Sequence, residues 1–197
     1  MPLLIAILLL SACNPTGKVI TTDCELIDNQ IEKEDCYVKL AASTANKEYC
    51  KAIEDKMTVD YCYEEAAVAS KDLNACNDIS SEYWLAICYK EVAKATLNQA
   101  ICLGLDSISD RDECFGYIAK EKLDYTICAG IAGFEKSDKC MRSIAVELEN
   151  PEVCNALSTK IAAGFCKKKV AVEIEDSSIC NDISIVQIRE MCFDSFN

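Results

Sequence analysis

The sequence predicts an all-α fold: an α-solenoid of seven 26-residue helix-turn-helix repeats, with one disulfide in each repeat. Three observations predict it. Fourteen cysteines recur at separations that alternate between 12 and 14 residues, Asn or Asp stands four residues before the first cysteine of six pairs, and aliphatic or small residues recur at fixed distances from the cysteines. A strict period over seven units is typical of repeat arrays, in which each unit packs on its neighbours.

The chain begins with a segment that differs from the repeats. Residues 3–10 are a run of eight apolar side chains, too short to cross a hydrocarbon core of about 30 Å but of the right length for the apolar region of a signal peptide. Leu10, Ser11, Ala12 and Cys13 follow, and they resemble the lipobox of prokaryotic lipoproteins. The resemblance implies a signal peptide over residues 1–12, a lipidated Cys13 and a tether over residues 13–22. An ordinary secretory cleavage and an uncleaved anchor are the alternatives.

Cysteine spacing predicts the disulfide pairing. Joining cysteines that lie 12 residues apart uses all fourteen, whereas joining those 14 apart leaves the first and the last unpaired. Export to an oxidising compartment favours disulfides, and the absence of any C-x-x-C motif disfavours a metal site or a thioredoxin-like redox site. The predicted bridges are Cys24–Cys36, Cys50–Cys62, Cys76–Cys88, Cys102–Cys114, Cys128–Cys140, Cys154–Cys166 and Cys180–Cys192.

The first cysteine of each pair is predicted to lie on a short helix. The residues four before it are Asn46, Asp72, Asn98, Asp124, Asn150 and Asp176, and their side chains are of the type that caps the first turn of a helix. Pro151 follows Asn150 at the first helical position, where a missing N–H costs nothing. The residues three after the same cysteine are Ile27, Ile53, Ile79, Leu105, Ile131, Leu157 and Ile183. One helical turn separates them from the cysteine, so they are expected to share its buried face.

The second cysteine of each pair is predicted to lie on a longer helix. It is followed directly by an aromatic residue in five repeats: Phe193 in the last, and Tyr37, Tyr63, Tyr89 and Phe115 in the first four. The rings of the first four repeats are candidates for a binding row along the array, and packing at the seams between repeats is the alternative. Five residues after the same cysteine stand Ala41, Ala67, Ala93, Ala119, Ala145 and Ala171. A small residue repeated there is typical of a place where neighbouring repeats approach closely.

The repeats occupy residues 23–197. In architecture, though not in motif, they resemble tetratricopeptide and Sel1-like repeat proteins, including cysteine-rich members with one disulfide in each hairpin. Those families have longer repeats than the 26 residues found in this chain, so the resemblance implies an architecture and no functional residue.

Composition excludes several functions. The chain has no histidine, which removes Ser-His-Asp and Cys-His nucleophile pairs and histidine-ligated metals. A net charge of -13 disfavours nucleic acid, and the glycines follow no phosphate-binding spacing. Acidic side chains are spread evenly along the chain and are expected to form a solvated coat.

The sequence therefore predicts a non-catalytic protein, lipid-anchored at the cell surface or in the periplasm, that binds a protein or peptide without a cofactor or metal. The acidic surface favours a basic partner, and the membrane is contacted through the N-terminal lipid. Two alternatives are a self-assembling structural component of the cell envelope and a carboxylate-based enzyme that acts on glycans.

Overall fold

The computed structural model describes residues 24–197, and this part of the chain is helical, with no strand. Seven long helices dominate it. The expectations for residues 1–22, including the lipidation of Cys13, lie outside the described residues. The long helices are α1 (Gln30–Thr44), α2 (Lys56–Ser70), α3 (Glu82–Thr96), α4 (Ile108–Lys122), α5 (Phe134–Glu147), α6 (Lys160–Glu173) and α7 (Val186–Phe193). The helical repeat array is thus confirmed.

Short helices alternate with the long ones. They are Lys47–Ala52, Cys76–Asp78, Gln99–Cys102, Tyr125–Gly130, Pro151–Ala156 and Ser177–Asp182. Five of these six are 3₁₀ helices, and Gln99–Cys102 is a single α-helical turn. A final 3₁₀ turn, Asp194–Phe196, follows α7. Segments this short favour the tighter 3₁₀ turn over an α-helix.

The aliphatic residue after each first cysteine ends the short helix instead of continuing it. Ile53 is extended, with φ -94° and ψ 133°, and its N–H donates to the Cys50 carbonyl at 3.2 Å. Ile183 has the same arrangement on Cys180. These aliphatic side chains are buried in six repeats, as expected, but they enter the core from an extended backbone rather than from a helical face.

Five of the six predicted Asn or Asp caps serve two helices at once. Asn46 accepts a hydrogen bond from the Glu48 N–H at 3.1 Å, and its own N–H donates to the Ala41 carbonyl at 3.0 Å. The same pair of bonds occurs at the other five positions. The side chain therefore starts the short helix while the backbone closes the preceding long helix in a Schellman-type turn. The prediction is wrong at Asp72, whose side chain holds a turn, because the short helix there begins only at Cys76 and has Ala75 at its N-cap.

The seven predicted disulfides are confirmed. Each joins cysteines 12 residues apart, with Cα–Cα distances of 5.6 to 5.8 Å, and twelve of the fourteen cysteines are fully buried. Seven intramolecular disulfides indicate an oxidising, extracytoplasmic environment.

A row of buried carboxylates joins successive repeats. Asp60 is 2% exposed, and its two carboxylate oxygens accept from the Ser80 and Ser81 N–H groups at 2.9 and 3.1 Å. Glu34, Asp112 and Asp138 occupy the equivalent position, two before the second cysteine, and each accepts from an N–H twenty residues ahead. For these residues the predicted solvated coat is wrong, because each carboxylate satisfies the N–H groups that precede the next long helix.

Candidate functional site on the outer face of the long helices

The aromatic row predicted from the sequence lies inside the array. Tyr37, Tyr63 and Phe115 are less than a tenth exposed, and Tyr89 is half-buried. The Phe115 ring lies so close to Gly130 that a Cβ added there would come within 2.7 Å of it. Burial raises the pKa of the Tyr63 hydroxyl. The rings fill the seams between repeats and form no exposed binding row, because in these four repeats the residue directly after the second cysteine turns towards the core.

Other side chains are exposed on the long helices, along the side that we call the outer face. It carries the residues one and five positions before the second cysteine. Apolar side chains are frequent there: Ile31 is 80% exposed and Met57 69%. Exposed apolar side chains that recur on one side of successive helices form the kind of patch that marks an interaction surface.

An aromatic cluster, formed by Tyr61, Tyr83 and Trp84, lies on the outer face at α2 and α3. The Tyr61 and Trp84 ring centroids are 5.6 Å apart, and those of Tyr83 and Trp84 are 5.7 Å apart. Tyr83 is 69% exposed and Trp84 is half-buried. Tyr and Trp dominate binding energy at protein interfaces because they bury a large area with few rotatable bonds.

An acidic groove of about 620 Å³ separates α1 from α2 on the outer face. Its apolar lining includes Ile31, Val38 and Tyr61, and its carboxylates are Glu34, Asp35, Glu54 and Asp55. Among the described residues, no Lys or Arg lines this groove. Lys39 lies beside it, paired with Asp35 at 2.5 Å, and both members of this pair are more than half exposed, so water screens the attraction.

Ion pairs fill the outer face between α3 and α4. Lys90 lies 3.4 Å from Asp110 and 3.2 Å from Glu113, and Lys94 lies 3.1 Å from Glu113. Hydrogen bonds from Lys94 and Lys90 hold the pKa of the Glu113 carboxyl below its usual value. Positive and negative side chains are paired at this interface. It therefore lies between a part of the outer face where carboxylates line the groove and a part where lysines line it.

A basic groove of about 260 Å³ lies between α4 and α5. Lys120, Lys136 and Lys139 line it, over a floor that includes Gly116 and Ile144. No carboxylate lines this groove within residues 24–197, although Lys136 reaches Asp112 at 2.7 Å. Gly116 leaves a notch, since a Cβ added there would meet only the Ile131 side chain, at 3.8 Å. A second groove, lined by Lys139, Arg142 and Lys169, continues the basic surface between α5 and α6.

Glu64 is buried on α2, and desolvation, with the charges of Glu65 and Glu91, raises its pKa to about 7. Within residues 24–197, no three His, Cys, Asp or Glu side chains are grouped so that they hold a metal ion. None of the helices described in this range is long and apolar enough to cross a membrane.

Sequence reasoning missed the aromatic cluster, both grooves and the buried carboxylates. Their signal was present in the period of 26 residues: Glu34, Asp60, Asp112 and Asp138 stand two before the second cysteine, and Tyr61 and Lys139 stand one before it. That last position holds an acidic residue in the first repeat, Asp35, and a basic residue in the fifth, Lys139.

Comparisons with protein-family models, with curated proteins and with solved structures find no match to this chain. The surface itself therefore carries the argument for function.

Proposed function

We propose that this protein is a non-catalytic, exported scaffold that binds a partner protein or peptide on the outer face of α1–α3. The observation that carries the proposal is the acidic groove and the aromatic cluster next to it. Together they offer exposed apolar side chains, half-buried aromatic rings and exposed carboxylates on one continuous surface.

The chemistry of this surface favours a partner segment that is both basic and apolar. The carboxylates of Glu54 and Asp55 attract cationic side chains, while Ile31, Val38 and Tyr61 provide an apolar floor. Charge attraction raises the rate of encounter, and burial of aromatic and aliphatic side chains supplies most of the affinity. Repeats stapled by disulfides present this surface in a fixed shape, which lowers the entropy lost on binding.

The location belongs to the same proposal. Seven disulfides support an oxidising compartment, and the lipobox-like segment ending at Cys13 supports a lipid anchor at the cell surface or in the periplasm. Mass spectrometry of unreduced protein recovered from membranes tests the anchor. A diacylglycerol adduct on Cys13 supports it, and an unmodified or absent Cys13 contradicts it.

Selection of a displayed random-peptide library on purified protein tests the binding surface. We expect the enriched peptides to combine Lys or Arg with aromatic and aliphatic residues. The double variant Tyr61→Ala/Glu54→Lys should weaken their binding by at least about tenfold, since it removes an aromatic contact and reverses a charge.

A matched control comes from α6, where Phe165 also stands one residue before a second cysteine and is 42% exposed, close to the 39% of Tyr61. Glu173 is an exposed carboxylate at the end of the same helix. Neither residue lines the acidic groove, so Phe165→Ala/Glu173→Lys makes the same two kinds of change away from it and should leave peptide binding unchanged. Failure to enrich peptides, or enrichment that the Tyr61→Ala/Glu54→Lys variant does not affect, contradicts the proposal.

A further inference from the structure

The two grooves of opposite charge are placed symmetrically about α3. The acidic groove lies between α1 and α2, and the basic groove lies between α4 and α5. Equal numbers of repeats therefore separate each groove from α3. The aromatic cluster, with Tyr83 and Trp84 on α3 itself, lies between them.

The grooves also lie on the same side and at overlapping heights of their helices. In the acidic groove, Thr58 and Tyr61 stand four and one residues before Cys62; in the basic groove, Lys136 and Lys139 stand four and one residues before Cys140. Equivalent positions in a repeat array face the same way, so both grooves open on the outer face.

Along the outer face the order from the N-terminal end is acidic, aromatic, basic. A second copy rotated by 180° about an axis along α3 presents the order basic, aromatic, acidic. The acidic and basic grooves of the two copies then meet at both ends of the face, as a closed two-fold interface requires. The aromatic cluster of each copy lies on the ion-paired interface between α3 and α4 of the other.

We propose that the partner of this face is a second copy of the same chain, in a two-fold dimer in which the acidic groove of each copy lies on the basic groove of the other. This inference rests on the proposed function, since it names the occupant of the same face. Lys139 on α5 of one copy lies opposite Asp35 on α1 of its partner, and Tyr83 and Trp84 of both copies lie beside the axis.

The distribution of groups fits a protein interface. Within the described residues, neither Lys120 nor Lys139 has an ion-pair partner. The chain has a net charge of -13, so the surface of a second copy offers carboxylates that these lysines attract. Aromatic side chains at the centre with charges around them are typical of stable interfaces. A dimer formed through this face would also account for the self-assembling function that the sequence predicts as an alternative.

Charge exchange tests the dimer. Sedimentation-equilibrium analysis of the wild-type protein should give a dimer. The acidic-groove variant Asp35→Lys/Glu54→Lys and the basic-groove variant Lys120→Glu/Lys139→Glu should each weaken association by at least about 100-fold, because like charges then meet at both ends. An equimolar mixture of the two variants should associate again, since the two altered grooves, now of opposite charge, meet at one end and the two native grooves meet at the other.

Two features of this experiment distinguish disruption of the interface from an effect of net charge. The acidic-groove variant makes the protein less negative, so general repulsion cannot explain a loss of association. Lys71→Glu/Lys122→Glu changes net charge as much as the basic-groove variant does, at exposed residues that line neither groove, and it should remain dimeric.

A wild-type protein that stays monomeric at about 100 μM, variants that remain dimeric, or a mixture that fails to reassociate each overturns the dimer. If the protein is monomeric but selected peptides still bind in a manner sensitive to Tyr61→Ala/Glu54→Lys, the dimer is rejected and the proposed function stands. If neither peptides nor a second copy bind, both are rejected.

Discussion

At the scale of single residues, six backbone positions take the left-handed conformation with residues that carry a Cβ. They close the turns after α1 to α6, and their φ values lie between 50° and 56°. The residues are Ala45, Lys71, Leu97, Leu123, Glu149 and Glu175. Glycine is the usual residue at such a position because it has no Cβ to oppose the carbonyl oxygen. The six turns therefore hold strain that the neighbouring caps and disulfides offset.

Replacing Ala45 by glycine should stabilise the protein. Ala45→Gly removes only a methyl group at φ 52°, and the relief of strain exceeds the added entropy of the unfolded chain, so we expect a gain of about 0.5–1 kcal/mol. Ala42→Gly, three residues earlier and within α1, should instead lose about 0.5–1 kcal/mol. Urea unfolding measures both. A loss of stability in Ala45→Gly contradicts the assignment of strain.

Glu64 makes stability depend on pH. The residue is 6% exposed, and desolvation, aided by the charges of Glu65 and Glu91, raises the pKa of its carboxyl from 4.5 to about 7. Between these two values the folded state holds a proton that the unfolded chain releases. The contribution of this group to stability is therefore greatest at low pH and falls as pH rises through this window.

Glu64→Gln should remove that dependence. The amide has the shape of the protonated acid, so we expect unchanged stability at about pH 4.5 and a gain of about 1–2 kcal/mol at about pH 8. Urea unfolding across this range measures the difference from wild type. Glu121→Gln, at an exposed residue of α4, serves as the control, and its difference in stability from wild type should stay the same across this pH range. A difference for Glu64→Gln that does not grow with pH would show that the carboxyl titrates normally.

At the scale of elements, four of the long helices are each tied to the next repeat by a buried carboxylate. Asp60 accepts from the Ser80 and Ser81 N–H groups, just before α3 begins. Repeats 3 and 6 have Ala86 and Gly164 at this position. Ion pairs from Lys90 and Lys94 join α3 to α4 instead, and a Cβ at Gly164 would lie 3.2 Å from Ile188, so close apolar packing joins α6 to α7.

Removing the Asp60 carboxylate should be costly. Asp60→Ala leaves two N–H groups without their partner, and we expect a loss of about 2–4 kcal/mol. Glu190→Ala is the matched control, because Glu190 holds the same position relative to Cys192, is exposed, and accepts no N–H within the described residues. It should cost less than about 0.5 kcal/mol.

Urea unfolding measures these two variants, and amide hydrogen exchange at Ser80 and Ser81 locates the effect. We expect exchange at these amides to accelerate in Asp60→Ala alone. Equal losses of stability in Asp60→Ala and Glu190→Ala would show that the carboxylate does not join the repeats.

At the scale of the whole molecule, stability is distributed along one dimension. Each repeat contacts its neighbours, and the buried apolar residues form two clusters that meet at α3. A disulfide cross-links every repeat. This cross-link offsets the small apolar area that a 26-residue unit buries. Loss of a staple should therefore have different consequences in the middle and at the end of the array.

We expect Cys102→Ala/Cys114→Ala to destabilise the whole array by about 2–4 kcal/mol, because the repeat between α3 and α5 joins the two halves. Cys180→Ala/Cys192→Ala should loosen only the last repeat. Hydrogen exchange resolves the two cases: the first variant should accelerate exchange in several repeats, and the second only after about residue 177. The same pattern in both variants would contradict a one-dimensional array.

Local features of this protein were determined by the sequence itself. The period of the cysteines determined the number of repeats and the disulfide pairing, and the residue types at Asn46 and its equivalents determined where helices begin. These features depend on contacts within about a dozen residues, so a pattern along the chain specifies them. The same reasoning misjudged the short helices, because only the folded backbone shows that the aliphatic residue leaves the helix.

Tertiary structure decided the surface. Whether Tyr63 faces a seam or solvent, whether Asp60 is hydrated or buried, and which charges line a groove all depend on how one repeat rotates against the next. That rotation arises from packing between residues about twenty positions apart, such as Asp60 and Ser80. It determines that carboxylates gather between α1 and α2 and lysines between α4 and α5, although both kinds of residue are spread evenly along the sequence.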